Sequence, residues 1–108
     1  MQGYLITFFT QQDRRHRGHL VAQWLVQLAR DMGLPGVTTI ACGEGFGHHR
    51  RIHSAHFFEL GDLPQEVQMA VSADDATRLF AKLKLEGLDI FYIKTPVEFG
   101  SHGGMTDD

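Results

Sequence analysis

The residues best suited to chemistry in this 108-residue chain fall in one run, Gly43 to His56, which holds three glycines, two arginines and four histidines. Alternating glycines allow a backbone whose N–H groups turn inward as an anion-binding nest. The guanidinium groups of Arg50 and Arg51 match the geometry of phosphate oxygens. The run also lacks the apolar periodicity of a helix or strand. It is therefore predicted to be a functional loop for a small anion, with a mobile, solvated hairpin tip as the alternative.

The histidines of this loop offer a second chemistry. His49, His53 and His56 are spaced four and three residues apart, and neutral imidazole is a common ligand of zinc and copper. The preceding glycines argue against a helix that would bring all three onto one face, so spacing alone does not define a preformed site. One histidine from each of three subunits near a threefold axis would complete one. A divalent-metal-binding or metal-sensing trimer is the alternative function, weighed against surface histidines with no ligand.

Catalysis is not expected from this sequence. No serine or cysteine lies in a nucleophile motif with a partner histidine at a recognised spacing. The carboxylates form no pair that sequence alone can bring together around a substrate. The single cysteine, Cys42, ends a predicted buried strand, where cysteine usually packs as a small apolar residue. We expect a binding protein rather than an enzyme.

Composition narrows the partners and the compartment. A net charge of -3 argues against general nucleic-acid binding, which relies on a broad basic face. The arginines at 14, 15 and 17, like the loop pair, suit a small anion, an acidic partner surface or water. One cysteine permits no internal disulfide, which favours a reducing compartment. No apolar run approaches 18 residues, so we expect a soluble, cytoplasmic protein without direct membrane insertion.

Periodicity predicts four strands and two helices in one domain, residues 1–97, followed by a flexible tail, 98–108. Val67, Met69 and Val71 alternate with polar or small residues, as in a half-buried strand. Ser72 with Asp75 three residues later predicts a helix start. In chain order the elements are a strand at 4–9, a helix over 20–32 ended by Gly33 and Pro35, strands at 37–42 and around 67–71, a helix from Ser72 to Gly87, and a strand at 88–93 ended by Pro96.

This order, strand, helix, strand, strand, helix, strand, is that of an α+β ferredoxin-like βαββαβ sandwich, whose sheet carries both helices on one face. The first and last strands are nonetheless apolar on both faces. A bare sheet face with so many large apolar side chains exceeds what monomers usually expose. Identical subunits that cover this face for one another are the simplest solution, so we predict a homo-oligomer.

Several short motifs together resemble the nitrogen-regulatory PII superfamily, and more closely its PII-like branch, the domain-of-unknown-function family numbered 190. The similarity runs from about Tyr4 to Ile93 in the same element order. The segments that carry it are Gly36-Val37-Thr38, Gly45-Phe46-Gly47, Ile52-His53-Ser54, Asp62-Leu63-Pro64 and Ala73-Asp74-Asp75.

The resemblance implies a PII-like homotrimer with an adenine nucleotide in the cleft between subunits. It also implies that the loop at 43–56 reports the ligand state to a partner protein. Phe46 has no place in the periodic pattern, so it is expected either to stack on the adenine or to anchor the loop base. With the two loop arginines added, the predicted nucleotide-binding residues are Thr38, Gly45, Phe46, Gly47, His48, His49, Arg50, Arg51, Met69 and Val71.

Two departures from PII proteins bear on the ligand. PII proteins carry a second glycine-rich loop between the last helix and the last strand, and its groups bind the phosphates; here Glu86-Gly87-Leu88 leaves no room for it. PII proteins also carry arginines beyond the last strand, where this chain has Lys94 followed by Pro96-Val97-Glu98-Phe99. AMP or ADP is therefore favoured over ATP, a cyclic nucleotide or no nucleotide at all stays open, and no cofactor is required.

Overall fold

A computed structural model of the chain describes residues 1–41 and 64–103. The predicted loop at 43–56 and the last five residues of the predicted tail lie outside these ranges. The described elements are β1 (Gln2–Gln11), β2 (Arg15–His16), β3 (His19–Leu20), α1 (Val21–Asp31), β4 (Thr38–Ala41), β5 (Pro64–Ser72), α2 (Ala73–Glu86) and β6 (Phe91–Glu98).

Four of the strands form one antiparallel sheet in the order β4-β5-β1-β6. Together with the two helices, this sheet makes a small α+β fold that is compatible with the ferredoxin-like arrangement. The predicted order of the four main strands and two helices is confirmed. The short hairpin β2–β3 was not predicted, because residues 11–18 were interpreted as a plain connection.

The core lies between the helices and one face of the sheet. Successive side chains of a strand point to opposite faces, so Ile6 and Phe8 of β1 and the predicted set Val67, Met69 and Val71 of β5 face the helices. Leu25 of α1 and Leu79 of α2 are among the helical residues that meet them. Burial of each large side chain contributes about 1.5–3 kcal/mol relative to leaving it in water.

The ends of the helices follow the predicted signals. The hydroxyl of Ser72 accepts a hydrogen bond from the backbone N–H of Asp75 at 3.1 Å, which starts α2. Gly87 ends it in the left-handed conformation with φ of 68°, where a glycine avoids the Cβ clash. Gly33 follows α1 with φ of 72° in the same role. Neither described helix is long and apolar enough to span a membrane.

The prediction for the last strand was wrong in both its start and its end. It begins at Phe91 rather than Leu88 and continues through Pro96 to Glu98. Proline is accepted within this strand because β6 is an edge strand, where a missing N–H need not break a ladder on both sides. Leu88 and Ile90 precede the strand and pack against the core as partly buried residues.

The face of the sheet that carries no helix is apolar along β1 and β6. Phe9 pairs with Phe91 and Thr7 with Ile93 across the two strands, and the rings of Phe9 and Phe91 lie 5.5 Å apart. In the single chain Phe91 is 68% exposed and Ile93 49% exposed. Phe9, Phe91 and Ile93 are named the β1–β6 apolar patch below.

Two backbone hydrogen bonds join the residue before β1 to the residue after β6. Met1 donates from its N-terminal amine to the carbonyl of Phe99 at 2.8 Å, and the N–H of Phe99 donates back to the carbonyl of Met1 at 2.9 Å. A Cβ built on Gly3 would lie 2.0 Å from the carbonyl oxygen of Val71 and 2.8 Å from the ring of Phe99. Only glycine therefore fits at position 3 between these neighbours.

Substitution Gly3→Ala should destabilise the fold by about 1–3 kcal/mol, the usual range for overpacking, because the Val71 carbonyl belongs to a sheet strand and has little room to move. Urea unfolding monitored by circular dichroism measures the change. Gly36→Ala is the matched control, since a Cβ there meets nothing within 4 Å. Equal stability of the two variants would contradict the close packing at Gly3.

Candidate functional site

A depression of about 570 Å³ opens on the helix-free face of the sheet. Its walls come from three parts of the fold: the neighbouring strands β1 and β5, the connection that leads into the start of β4, and the chain just after β6. The register explains the convergence, because Leu5 lies opposite Ala70 and Thr38 lies opposite Gln68 on neighbouring strands. The lining residues are Leu5, Pro35, Gly36, Val37, Thr38, Gln68, Ala70, Phe99, Gly100 and Ser101.

Thr38 is the predicted nucleotide-binding residue whose side chain reaches this depression. It is exposed at the start of β4. Met69 and Val71 do not reach it with their side chains, since they are 1% and 0% exposed and lie in the core. Strand alternation sends their neighbours Gln68 and Ala70 to the depression instead. The predicted strand thus contributes to this surface, but through different side chains from those named.

The other predicted site residues lie outside the described ranges. For nucleotide binding these are Gly45, Phe46, Gly47, His48, His49, Arg50 and Arg51; for metal binding they are His49, His53 and His56. Both assignments stay predictions. Within residues 1–41 and 64–103, no group of three or more His, Cys, Asp or Glu side chains is arranged to bind a metal ion.

The depression combines an apolar body with a few neutral polar groups. Leu5, Ala70 and Phe99 supply apolar surface, while Thr38 and Ser101 supply hydroxyls. The Gln68 amide nitrogen lies 3.4 Å from the Thr7 hydroxyl, and its carbonyl oxygen can still accept. None of the described lining residues is charged. Such a surface suits a flat ring with hydrogen-bonding edges rather than an isolated anion.

Sequence reasoning missed the contribution of the chain after β6. Phe99, Gly100 and Ser101 were assigned to the flexible tail, yet all three line the depression. The backbone of Phe99 is fixed by its two bonds to Met1. The sequence did contain one indication of this role, which is the aromatic Phe99 at the start of an otherwise small and polar stretch.

A second polar cluster joins the hairpin β2–β3 to the end of α2. Glu86 accepts from Arg17 Nε at 2.6 Å, and His16 Nε2 lies 3.1 Å from the same carboxylate oxygen. Lys82 is 3.8 Å from the other oxygen. The hydrogen bonds from His16 and Arg17 lower the pKa of Glu86 below its usual value of 4.5. The cluster keeps the hairpin against the helix layer.

The arginines at 14, 15 and 17, for which an anion, an acidic partner surface or water stayed open, all bond within the chain. Arg14 donates to the carbonyl of Asp89, Arg15 donates to the carbonyl of Gly18 at 2.9 Å, and Arg17 binds Glu86. Their first role is therefore to fix the hairpin and the connection that follows α2. Sequence alone could not show this, because the partners of Arg14 and Arg17 lie about 70 positions further along the chain.

The described fold is a small α+β sandwich compatible with the ferredoxin-like arrangement, and comparison with known proteins assigns the chain to a family. Residues 3–89 match the family DUF190, described as "Uncharacterized ACR, COG1993". The chain belongs to this family, which is PII-like, so the predicted family is confirmed. A UPF0166 protein from Aquifex aeolicus (strain VF5) is 24% identical over 98 residues, a stretch that covers 82% of this chain and 93% of that protein.

The substitution Glu86→Gln should lower the free energy of unfolding near neutral pH. In acid the variant and the wild type should become equally stable. A carboxylate with a lowered folded pKa stabilises the fold fully above its unfolded pKa, and the contribution disappears as pH falls through the folded value. The difference in unfolding free energy between wild type and variant should therefore shrink below pH 4.5. Chemical unfolding at a series of pH values measures it.

The matched control is Glu98→Gln, which removes the same charge from an exposed position at the end of β6. It should change stability little across the series. A stability difference for Glu86→Gln that stays constant from neutral to acid pH would show that the carboxylate charge is not what joins the hairpin to α2.

Proposed function

We propose that this chain is the subunit of a PII-like regulatory homotrimer that binds an adenine nucleotide, AMP or ADP in preference to ATP, in a cleft between subunits. The segment 43–56 then signals the ligand state to a partner protein, and the protein is not an enzyme. One observation carries the proposal. The depression beside Thr38, in a chain of a PII-like family, has the size and lining of a site for a planar ring.

The lining supports a division of the nucleotide into two parts. The apolar walls and neutral polar groups of the depression favour the base, with Gln68 and the Thr38 hydroxyl as partners for its edge. The phosphates then require donors from elsewhere, and the predicted glycines and arginines of segment 43–56 suit them. β4 runs from Thr38 to Ala41, and one residue separates it from that segment in the sequence.

The short connection after α2 favours few phosphates. Between Gly87, which ends α2, and Phe91, which begins β6, the chain has only Leu88, Asp89 and Ile90. The carbonyl of Asp89 accepts a hydrogen bond from Arg14, so this connection is tied to the hairpin. A phosphate-binding loop of the PII kind has no room here, which supports AMP or ADP over ATP.

The β1–β6 apolar patch supports the oligomer. Phe91 and Ile93 expose much of their surface in the single chain, on the same face of the sheet as the depression. Association of identical subunits through this face would remove that surface from water. It would also bring a second chain to the rim of the depression, where a cleft between subunits would close over a ligand.

The proposed signal is a change in order or position of segment 43–56. A ligand can shift such an equilibrium only by its difference in affinity for the two states. Contacts of the phosphates with the segment supply that difference, because they exist only when the segment is folded over the site.

Thermal unfolding of metal-stripped protein with AMP, ADP, ATP and Zn²⁺ in turn tests the proposal. AMP or ADP should raise the midpoint most, since a ligand at about 100 times its Kd adds roughly 2.7 kcal/mol per site. Thr38→Ala should reduce the nucleotide effect. Thr39→Ala is the matched control, because Thr39 points to the opposite face of the sheet and lines no part of this depression.

Each other outcome has a definite meaning. A midpoint raised by Zn²⁺ and by no nucleotide would replace the proposal with the metal-binding alternative. A nucleotide effect that Thr38→Ala and Thr39→Ala leave equally intact would move the site away from the depression.

A further inference from the structure

A second depression lies on the helix side of the molecule, between the β2–β3 hairpin and the first two turns of α1. Its volume is about 480 Å³, and it is lined by Arg17, His19, Gln23, Trp24 and Gln27. None of these residues belongs to the depression beside Thr38, since α1 covers the opposite face of the sheet. The volume falls within the range of small-molecule sites, about 300–1,000 Å³.

Arg17 is fixed in an uncommon conformation at the edge of this depression. Its φ of 53° and the 81° of Gly18 form the tip of the hairpin, where two-residue turns normally prefer Asn or Gly. The side chain is anchored through Nε, which donates to Glu86 at 2.6 Å. Its two terminal nitrogens have no partner within residues 1–41 and 64–103. One edge of the guanidinium is thus fixed, and within the described part of the chain no bond occupies the other edge, which has the donors to bind an anion.

The indole of Trp24 is fixed by the same carboxylate through His16. The His16 ring meets the indole edge-on, with ring centroids 4.8 Å apart and planes at 77°. His16 is in turn 3.1 Å from Glu86. Because Glu86 positions both the guanidinium and the imidazole, the charged and the flat parts of the depression are preorganised together. The indole is partly buried and gives the depression an apolar, flat wall.

Two carboxamides of α1 also line this depression. Gln23 and Gln27 are four residues apart, so they lie on one face of α1, and both are exposed. Gln27 donates to Asp31 at 2.9 Å, which orients its amide and leaves its carbonyl oxygen available. Carboxamides both donate and accept, which suits hydroxyl groups better than it suits a bare anion.

We propose that this depression binds an anionic monosaccharide, a hydroxylated ring that bears a phosphate or a carboxylate. The ring packs on the indole of Trp24, the anionic group bonds to the terminal nitrogens of Arg17, and the ring hydroxyls bond to Gln23 and Gln27. The site is separate from the proposed nucleotide site, so either can fail without the other.

Trp24 is the only tryptophan of the chain, so its fluorescence reports on this depression directly. We would titrate the protein with glucose 6-phosphate, glucuronate, glucose and inorganic phosphate. At least one of the two charged sugars should change the emission in a saturable way. Glucose and inorganic phosphate should bind at least about tenfold more weakly, because each lacks one of the two kinds of contact.

Arg17→Gly is the informative variant, because glycine readily adopts the backbone conformation of this position while the guanidinium is lost. It should weaken binding of the charged sugar by at least about tenfold. Arg30→Ala, which removes one arginine from the last turn of α1, should leave binding unchanged.

Three results would overturn the proposal. One is the absence of a saturable change with both charged sugars. Another is inorganic phosphate or glucose binding as tightly as the charged sugar, since one kind of contact would then suffice. The third is wild-type affinity for the charged sugar in the Arg17→Gly variant. A loss of folding in Arg17→Gly, seen by circular dichroism, would be resolved with Arg17→Gln, which keeps a polar side chain without the charge and should show the same loss of binding.

Discussion

The structure depends on one geometric constraint, which is that both helices pack on the same face of a four-stranded sheet. Alternate residues of β1 and β5, such as Phe8 and Met69, must then fill the core beneath the helices. The side chains of the intervening residues on these strands point to the opposite face, which no described helix covers. That face receives the β1–β6 apolar patch and the depression beside Thr38, so the proposed association surface and the proposed ligand site have a common origin.

Both helices pack on the sheet through apolar residues, but charged side chains connect the end of α2 to the β2–β3 hairpin. Glu86 at the end of α2 joins His16, Arg17 and Lys82, and Arg14 ties the following connection to the hairpin. Except for the Lys82 pair within α2, these contacts cross about 70 positions of sequence and position the β2–β3 hairpin beside α1. The depression that Trp24 and Arg17 line exists because of this arrangement. A single carboxylate thereby supports both the local fold and the second proposed site.

Local patterns predicted those features that short-range physics decides. Alternation at Val67, Met69 and Val71 identified β5, and the cap of Ser72 with Gly87 at the other end bounded α2. The features that sequence reasoning missed depend on distant partners. β6 extends past Pro96 because it is an edge strand paired with β1, and Phe99 is ordered by Met1. The β2–β3 hairpin was not predicted, because its turn has Arg17 at a position that is normally Asn or Gly.

The candidate site was predicted only in part. Thr38 was identified through the family motif at 36–38 and does line the depression. Met69 and Val71 were named from the same resemblance, but strand alternation places Gln68 and Ala70 on that surface. The ligand-binding residues predicted in segment 43–56 lie outside the described structure and stay predictions. Fold and family therefore follow from the sequence more fully than the ligand does.

The most direct test of the central claim is the mass of the protein in solution, by size-exclusion chromatography with light scattering. We expect a species of three times the 12.2 kDa chain. Phe91→Glu, a change on the helix-free face, should reduce it to a single chain, while Leu85→Glu, at an apolar position on α2 that is more exposed than Phe91, should not. A wild-type mass of 12.2 kDa would contradict the account, because the β1–β6 apolar patch would then be open to water and no cleft between subunits could form.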